Sequence, residues 1–263
     1  MTPPPQGASM NGFRILRRSR SRFLSAILFS PAILFSAKAS LGQTDSNATR
    51  NNYVVSVQDL KAERKGHAAF DKGSQMLDKG DAAGSIAYLE RAIAEYPEHY
   101  KAYYDLGVAQ FRLAHLAEAE EAFQKAIDLT KGNFAPPQFG LGAILCQKAD
   151  FTQAEALLQR AVDLDPGSAV GKYYLGWAQF GLNRLIQAER SLEQALLRNN
   201  NFAEAYLLLV RIHLRQHNLP GAAKDLDAYL KIEPRKEQAR TLAEEIKREM
   251  AQEATVLATA AQP

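Results

Sequence analysis

Between residues 66 and 236, apolar side chains recur at helical spacing in paired runs. Short polar turns split each pair, as at Asp78-Lys79-Gly80-Asp81 and Lys148-Ala149-Asp150. Each pair of runs predicts a helical hairpin, and the hairpins repeat. A Leu-Gly pair or its equivalent stands at Lys72-Gly73, Leu106-Gly107, Leu141-Gly142, Leu175-Gly176 and Leu209-Val210, at spacings of 34, 35, 34 and 34. Further along each unit comes a small residue (Ser85, Ala119, Ala154, Ala188, Ala222). A large apolar residue follows (Leu89, Phe123, Leu158, Leu192, Leu226), then Ala92, Ala126, Ala161, Ala195 and Tyr229. Pro97, Pro166 and Pro234 close three of the units, where a residue lacking the backbone donor halts the second helix. Glycine in the first helix lets its partner approach closely, and alanine in the second leaves room for the next unit.

This pattern resembles the tetratricopeptide repeat (TPR) family, with units at 66–99, 100–134, 135–168, 169–202 and 203–236. The resemblance implies an all-α, right-handed α-solenoid of about five hairpins over 66–234. Lys72, Val210, Lys131 and Asn200 depart from the family pattern, and one extra residue falls in 130–134 ahead of Pro136-Pro137. The first and fifth units are the least typical, as end repeats are.

Beyond the repeats, Ala239, Leu242, Ile246 and Met250 form one apolar stripe. They predict a capping helix over 235–252, because the last unit of an open solenoid otherwise exposes an apolar face. Residues 253–263 are weakly patterned and read as a frayed, disordered tail. At the other end, Phe13–Arg22 is strongly basic and Phe23–Ala37 is apolar, ending at Ala37-Lys38-Ala39. That is the layout of a cleaved export signal over 1–39. The apolar run is shorter than the roughly 20 residues of a membrane span and is interrupted by Pro31, so no stable membrane insertion is expected after cleavage. Residues 40–65 read as a flexible leader and lead-in, with Tyr53–Val57 extended and Asp59 placed to cap a helix.

The export signal changes how the charge is read. The 263 residues carry a formal net charge of +3, but Arg14, Arg17, Arg18, Arg20, Arg22 and Lys38 all precede Ser40 and no acid precedes Asp45. The remainder is therefore net acidic, and the electrostatic case for nucleic acid goes with the leader. The single cysteine, Cys146, excludes an intrachain disulfide and reads as a buried small hydrophobe. His213 and His217 share a helix face but lack a third ligand, so they read as structural. Gly140-Leu141-Gly142 lacks the third glycine and the strand of a dinucleotide loop. No catalytic, metal or cofactor constellation emerges, and the expectation is a non-enzymatic protein.

What remains is a surface. In the family this chain resembles, first helices line a concave face, and five positions of each unit point into it. The residues this implies for a partner-binding groove are Phe70, Tyr104, Phe111, Phe139, Tyr173, Trp177, Phe180, Leu207, Arg211 and Arg215. Aromatic rings with neighbouring arginines have the composition of a recognition site. As a set, they exceed what packing between repeats requires. The lysine and asparagine clamp of chaperone-tail binders is absent. The expected function is a protein-interaction scaffold in the bacterial cell envelope, periplasmic or secreted, gripping a peptide segment of an unidentified partner. Two other readings fit the same residues: an adaptor subunit of an envelope enzyme complex, and an assembly factor for outer-membrane or pilus machinery.

Overall fold

The computed structural model describes residues 57–260; the expected export signal over 1–39 and most of the expected leader lie outside them. The described residues form eleven helices and no strand. Five hairpins succeed one another: α1 (Val57–Asp78) with α2 (Ala82–Glu95), α3 (Tyr100–Arg112) with α4 (Leu116–Leu129), and α5 (Ala135–Gln147) with α6 (Phe151–Leu164). Then come α7 (Ala169–Gly181) with α8 (Leu185–Arg198), α9 (Ala203–Arg215) with α10 (Leu219–Ile232), and a terminal α11 (Glu237–Ala260). Every helix packs on the next, and the first helices of successive hairpins also touch. This is an all-α repeat solenoid.

The two helices of a hairpin bury different amounts of surface, and their sequences show why. The second helices present a narrow stripe, Ala154, Leu158 and Ala161 on α6 and Ala188, Leu192 and Ala195 on α8, with polar residues over most of the rest. The central first helices are covered nearly all round: every residue from Pro137 to Ile144 on α5 and from Gly171 to Gly176 on α7 is buried. Close approach within a hairpin depends on its glycine. A Cβ at Gly73, Gly107, Gly142 or Gly176 would come within 2.8, 2.6, 2.5 and 2.9 Å of Leu89, Phe123, Leu158 and Leu192 respectively. In the fifth hairpin Val210 replaces the glycine and joins Leu226 in one buried cluster.

Side-chain caps start several helices. Asp81, Asp150, Ser168 and Asn218 accept from the backbone N–H groups of Gly84, Gln153, Gly171 and Gly221. Pro136 and Pro137 occupy the first turn of α5, where a missing N–H costs nothing. The turn inside each hairpin uses one left-handed residue at the same place: Gly80, Ala114, Ala149, Asn183 and His217, with φ between 57° and 89°.

Both ends differ from the sequence reading. Helix α1 begins at Val57, so Asp59, expected to cap a helix leading into the first unit, lies inside that helix instead. At the other end α11 continues to Ala260, through residues expected to fray. Its Ala239, Ala243 and Ile246 are buried against Leu219, Leu226 and Tyr229, with Leu242 and Met250 at the margin. The apolar end of the last hairpin is thereby covered.

Candidate functional site

The ten residues of the expected groove do not form one open stripe. Phe111, Phe139, Tyr173 and Phe180 are buried, with 8, 4, 5 and 4% of their surface exposed. Phe139 sits where any side chain at Gly171 would collide with it, so its ring fills the joint between the third and fourth hairpins. The expectation that the aromatic set exceeds what packing needs is therefore corrected. A large ring between helices leaves no room for a second packing residue, and the core takes the ring.

At the N-terminal end, Phe70 is half-buried beside His99, their ring centroids 4.5 Å apart. Tyr104 is half-buried among Phe123 and Phe134 at 6.1 and 5.7 Å, and burial raises its phenol pKa. Next to it Asp105 has its carboxyl pushed up to about 6, chiefly by burial and further by Asp78, against the hydrogen bond from Ser74 and the charge of Arg112. Arg112 itself donates from Nη1 to the carbonyl of Leu77 at 2.6 Å, which satisfies a carbonyl in the last turn of α1. His99 Nδ1 accepts from the N–H of Ala102, which leaves Nε2 to donate to His67 Nδ1 at 3.1 Å. Burial and His67 hold the His99 pKa below its ordinary value.

The C-terminal end is organised differently. On α7, Tyr173 packs against Tyr174, Trp177 and Phe202, at centroid distances of 5.2, 6.4 and 4.8 Å. Trp177 stays partly exposed. One turn on, the buried ring of Phe180 carries two guanidinium groups from α9, Arg211 at 4.8 Å and Arg215 at 4.1 Å. Arg211 is half-buried and Arg215 exposed. Burial lowers the Arg211 pKa and the charge of Arg215 lowers it further, while Tyr173 opposes both. Among the described residues neither arginine pairs with a carboxylate. Leu207 packs instead on the cluster around Val210 and Leu226. Of the ten residues, the structure thus brings Tyr173, Trp177, Phe180, Arg211 and Arg215 together where α7 meets α9.

The remaining candidates for chemistry are structural in their surroundings. Cys146 is buried, its thiol pushed up to about 12 by desolvation, which keeps it protonated and unreactive. His217 is the left-handed turn residue of the fifth hairpin. His213 stands between two carboxylates, with Nε2 3.2 Å from Glu189 and Nδ1 2.9 Å from Asp225. The cluster ties α8, α9 and α10 together. Burial raises the Asp225 pKa against the pull of His213. Sequence reasoning missed Asp105, the acids around His213 and the rings of Phe134 and Phe202. Both phenylalanines stand immediately before a first helix, a position whose aromatic character was the available signal.

The fold and this face define the chain as a helical-repeat solenoid. Tetratricopeptide repeat profiles match residues 70–134 and 145–201. The chain belongs to the tetratricopeptide repeat family. Among solved structures it is similar to MamA, residues 41 to the end, from Desulfovibrio magneticus RS-1, with 20% identity and a TM-score of 0.55 over 66% of this chain and 97% of that one. It is similar to PilF of Pseudomonas aeruginosa, with 18% identity and a TM-score of 0.63 over 75% of this chain and 90% of that one. YrrB, described as a TPR protein with an unusual peptide-binding site, aligns at 18% identity and a TM-score of 0.54, covering 71% of this chain and 97% of its own. No curated protein matches the sequence.

Proposed function

We propose that the chain is a protein-interaction scaffold that grips a peptide segment of a partner on the face shared by α7 and α9. The observation that carries this reading is the α7–α9 cluster: a partly exposed Trp177 next to two arginines stacked on one buried ring, with no acid among the described residues paired to either. An aromatic anchor beside arginines is the composition of an energetic centre in protein interfaces. The likeness to YrrB, which has a peptide-binding site of its own, is consistent with that use of the fold. The basic and apolar leader supports export to the cell envelope as the setting.

A photo-reactive benzophenone amino acid placed at Trp177, with a control at the exposed Leu197 of α8, tests the face. Cross-links to a native partner from position 177 and not from 197 are expected. Cross-links from 197 alone would move the site to the second helices. The export reading is checked on the natively produced protein by mass spectrometry, which should find a mature N-terminus near Ser40; an intact Met1 in a cytoplasmic fraction would refute it.

A further inference from the structure

The charge on this face has a sign and a spacing, and both specify the partner. We propose that Arg211 and Arg215 receive acidic side chains of an extended partner segment, one carrying Asp or Glu at two alternate positions with an apolar residue seated against Trp177. This rests on the reading of the α7–α9 face as peptide-binding and adds the chemistry of the peptide.

Three observations support it. First, the guanidinium groups are held on a ring and, among the described residues, have no carboxylate partner. Both lie over the ring of Phe180, so less side-chain freedom is lost on binding, and among the described residues neither forms an ion pair with a carboxylate. Second, Arg211 carries its charge at a cost: it is half-buried, and its positive neighbour Arg215 adds to the penalty that burial imposes. A carboxylate arriving at this spot relieves both effects, and arginine binds carboxylates with paired, charge-assisted hydrogen bonds. Third, the spacing matches. Side chains four apart on a helix have Cβ atoms about 5–6 Å apart, and alternate side chains on one edge of an extended strand are separated by about 6.8 Å. Two acids at alternate positions can therefore meet both arginines at once.

The rest of the face sets direction. Glu204 lies two turns before Arg211 on α9 and is close enough to Tyr173 to raise its pKa. An acidic segment is repelled at that end and attracted at the other, so its acids fall toward the C-terminus of α9. Trp177 is three residues before Phe180 on α7 and hence its neighbour on the helix surface, which provides an apolar contact beside the charged one.

The probe is a capped peptide, N-acetylated and C-amidated, with sequence Gly-Leu-Glu-Ala-Glu-Ala-Gly, compared with its Gln-x-Gln counterpart by fluorescence anisotropy on the mature chain. The acidic peptide should bind at least about tenfold more tightly than the glutamine one. The gap should narrow several-fold between about 50 and 500 mM NaCl. The double variant Arg211→Gln, Arg215→Gln should abolish the preference while its helix content and hydrogen-exchange protection stay unchanged; Arg211→Lys, Arg215→Lys, which keeps the charge and loses the fork, should retain only part of it.

Equal binding of the two peptides overturns the proposal, as does a preference that survives the double glutamine variant. So does an uncapped glutamine peptide that binds as tightly as the capped acidic one, because the receptor would then be one for a chain terminus. Absence of measurable binding by the acidic peptide at about 1 mM overturns it as well. The cross-linking at Trp177 is read independently of all these results: cross-links there with no acid preference leave the scaffold reading standing and this inference refuted.

Discussion

Arg112 and Arg215 end the first helix of the second and the fifth hairpin at the same repeat position, and each reaches back 35 residues, to equivalent positions near the end of the preceding first helix. Their partners differ. Arg112 meets the carbonyl of Leu77 and donates to it at 2.6 Å, with Asp105 close enough to feel its charge. Arg215 meets the ring of Phe180 at 4.1 Å, shares it with Arg211, and among the described residues pairs with no acid. In one case the guanidinium is consumed by the fold; in the other it is held in place and left available. The repeat position fixes where an arginine points, and the residue one unit back decides what it is for.

The largest test of this contrast removes the residues the arginines reach. Phe180→Ala should cost about 3–5 kcal/mol, as for a buried ring replaced by alanine, and Leu77→Ala about 2–4 kcal/mol. The sharper expectation concerns what remains. Arg112 bonds to backbone and keeps its partner in Leu77→Ala, while Phe180→Ala leaves both C-terminal arginines without a platform. Urea midpoints combined with arginine side-chain NMR would show it, and loss of order at Arg112 in Leu77→Ala would break the comparison.

Removing the arginines themselves comes next. Arg112→Met should lose roughly 1.5–3 kcal/mol, the scale of a hydrogen bond made by a charged group. Arg215→Met should lose no more than about 0.5–1 kcal/mol, the scale of an exposed cation–π contact. Urea denaturation of the two variants is sufficient, and equal losses would mean that both arginines are structural.

The smallest effect is in the pH dependence. Asp105 has a folded pKa of about 6 against 3.8 ordinarily, so between these values the folded state binds more protons and stability falls as pH rises. Above the window the penalty is constant. Asp105→Asn should therefore stabilise the protein by about 1–2 kcal/mol at pH 8 and by little below pH 4. His99 acts in the opposite direction: its depressed pKa gives stability that is full above its ordinary value of 6.5 and is lost as pH falls below it. The comparison of wild type with Asp105→Asn cancels that contribution. In Arg112→Met the Asp105 window should extend to higher pH, and no counterpart is expected from Arg215→Met.

The hairpins were legible because a repeat states its packing rule five times, and Gly73, Gly107, Gly142 and Gly176 lie against Leu89, Phe123, Leu158 and Leu192 as the spacing implies. The ends were less legible, since residues 57–65 and the last turns of α11 belong to no repeat and are helical through continuity with elements that do. The site was only partly readable. Repeat position marks Phe139 and Trp177 alike as facing inward, but whether a ring is covered depends on its neighbour one unit on. Opposite Phe139 stands Gly171, which admits the ring fully; Trp177 stays partly open. That no acid among the described residues pairs with Arg211 could not be seen in sequence at all, because Glu189 and Asp225 both lie against His213.

The left-handed residue inside each hairpin has a bearing on evolution. Of the five positions only Gly80 is occupied by the residue that takes this backbone freely, and Ala114 and Ala149 adopt it with a side chain that disfavours it. Left-handed geometry costs an ordinary residue roughly 1–2 kcal/mol, so these two turns hold unclaimed stability that a single codon change to glycine at each would release. A lineage carrying this chain can therefore absorb a destabilising substitution at the α7–α9 face, where new partners would be selected, and restore the loss in the second or third hairpin without touching the binding residues.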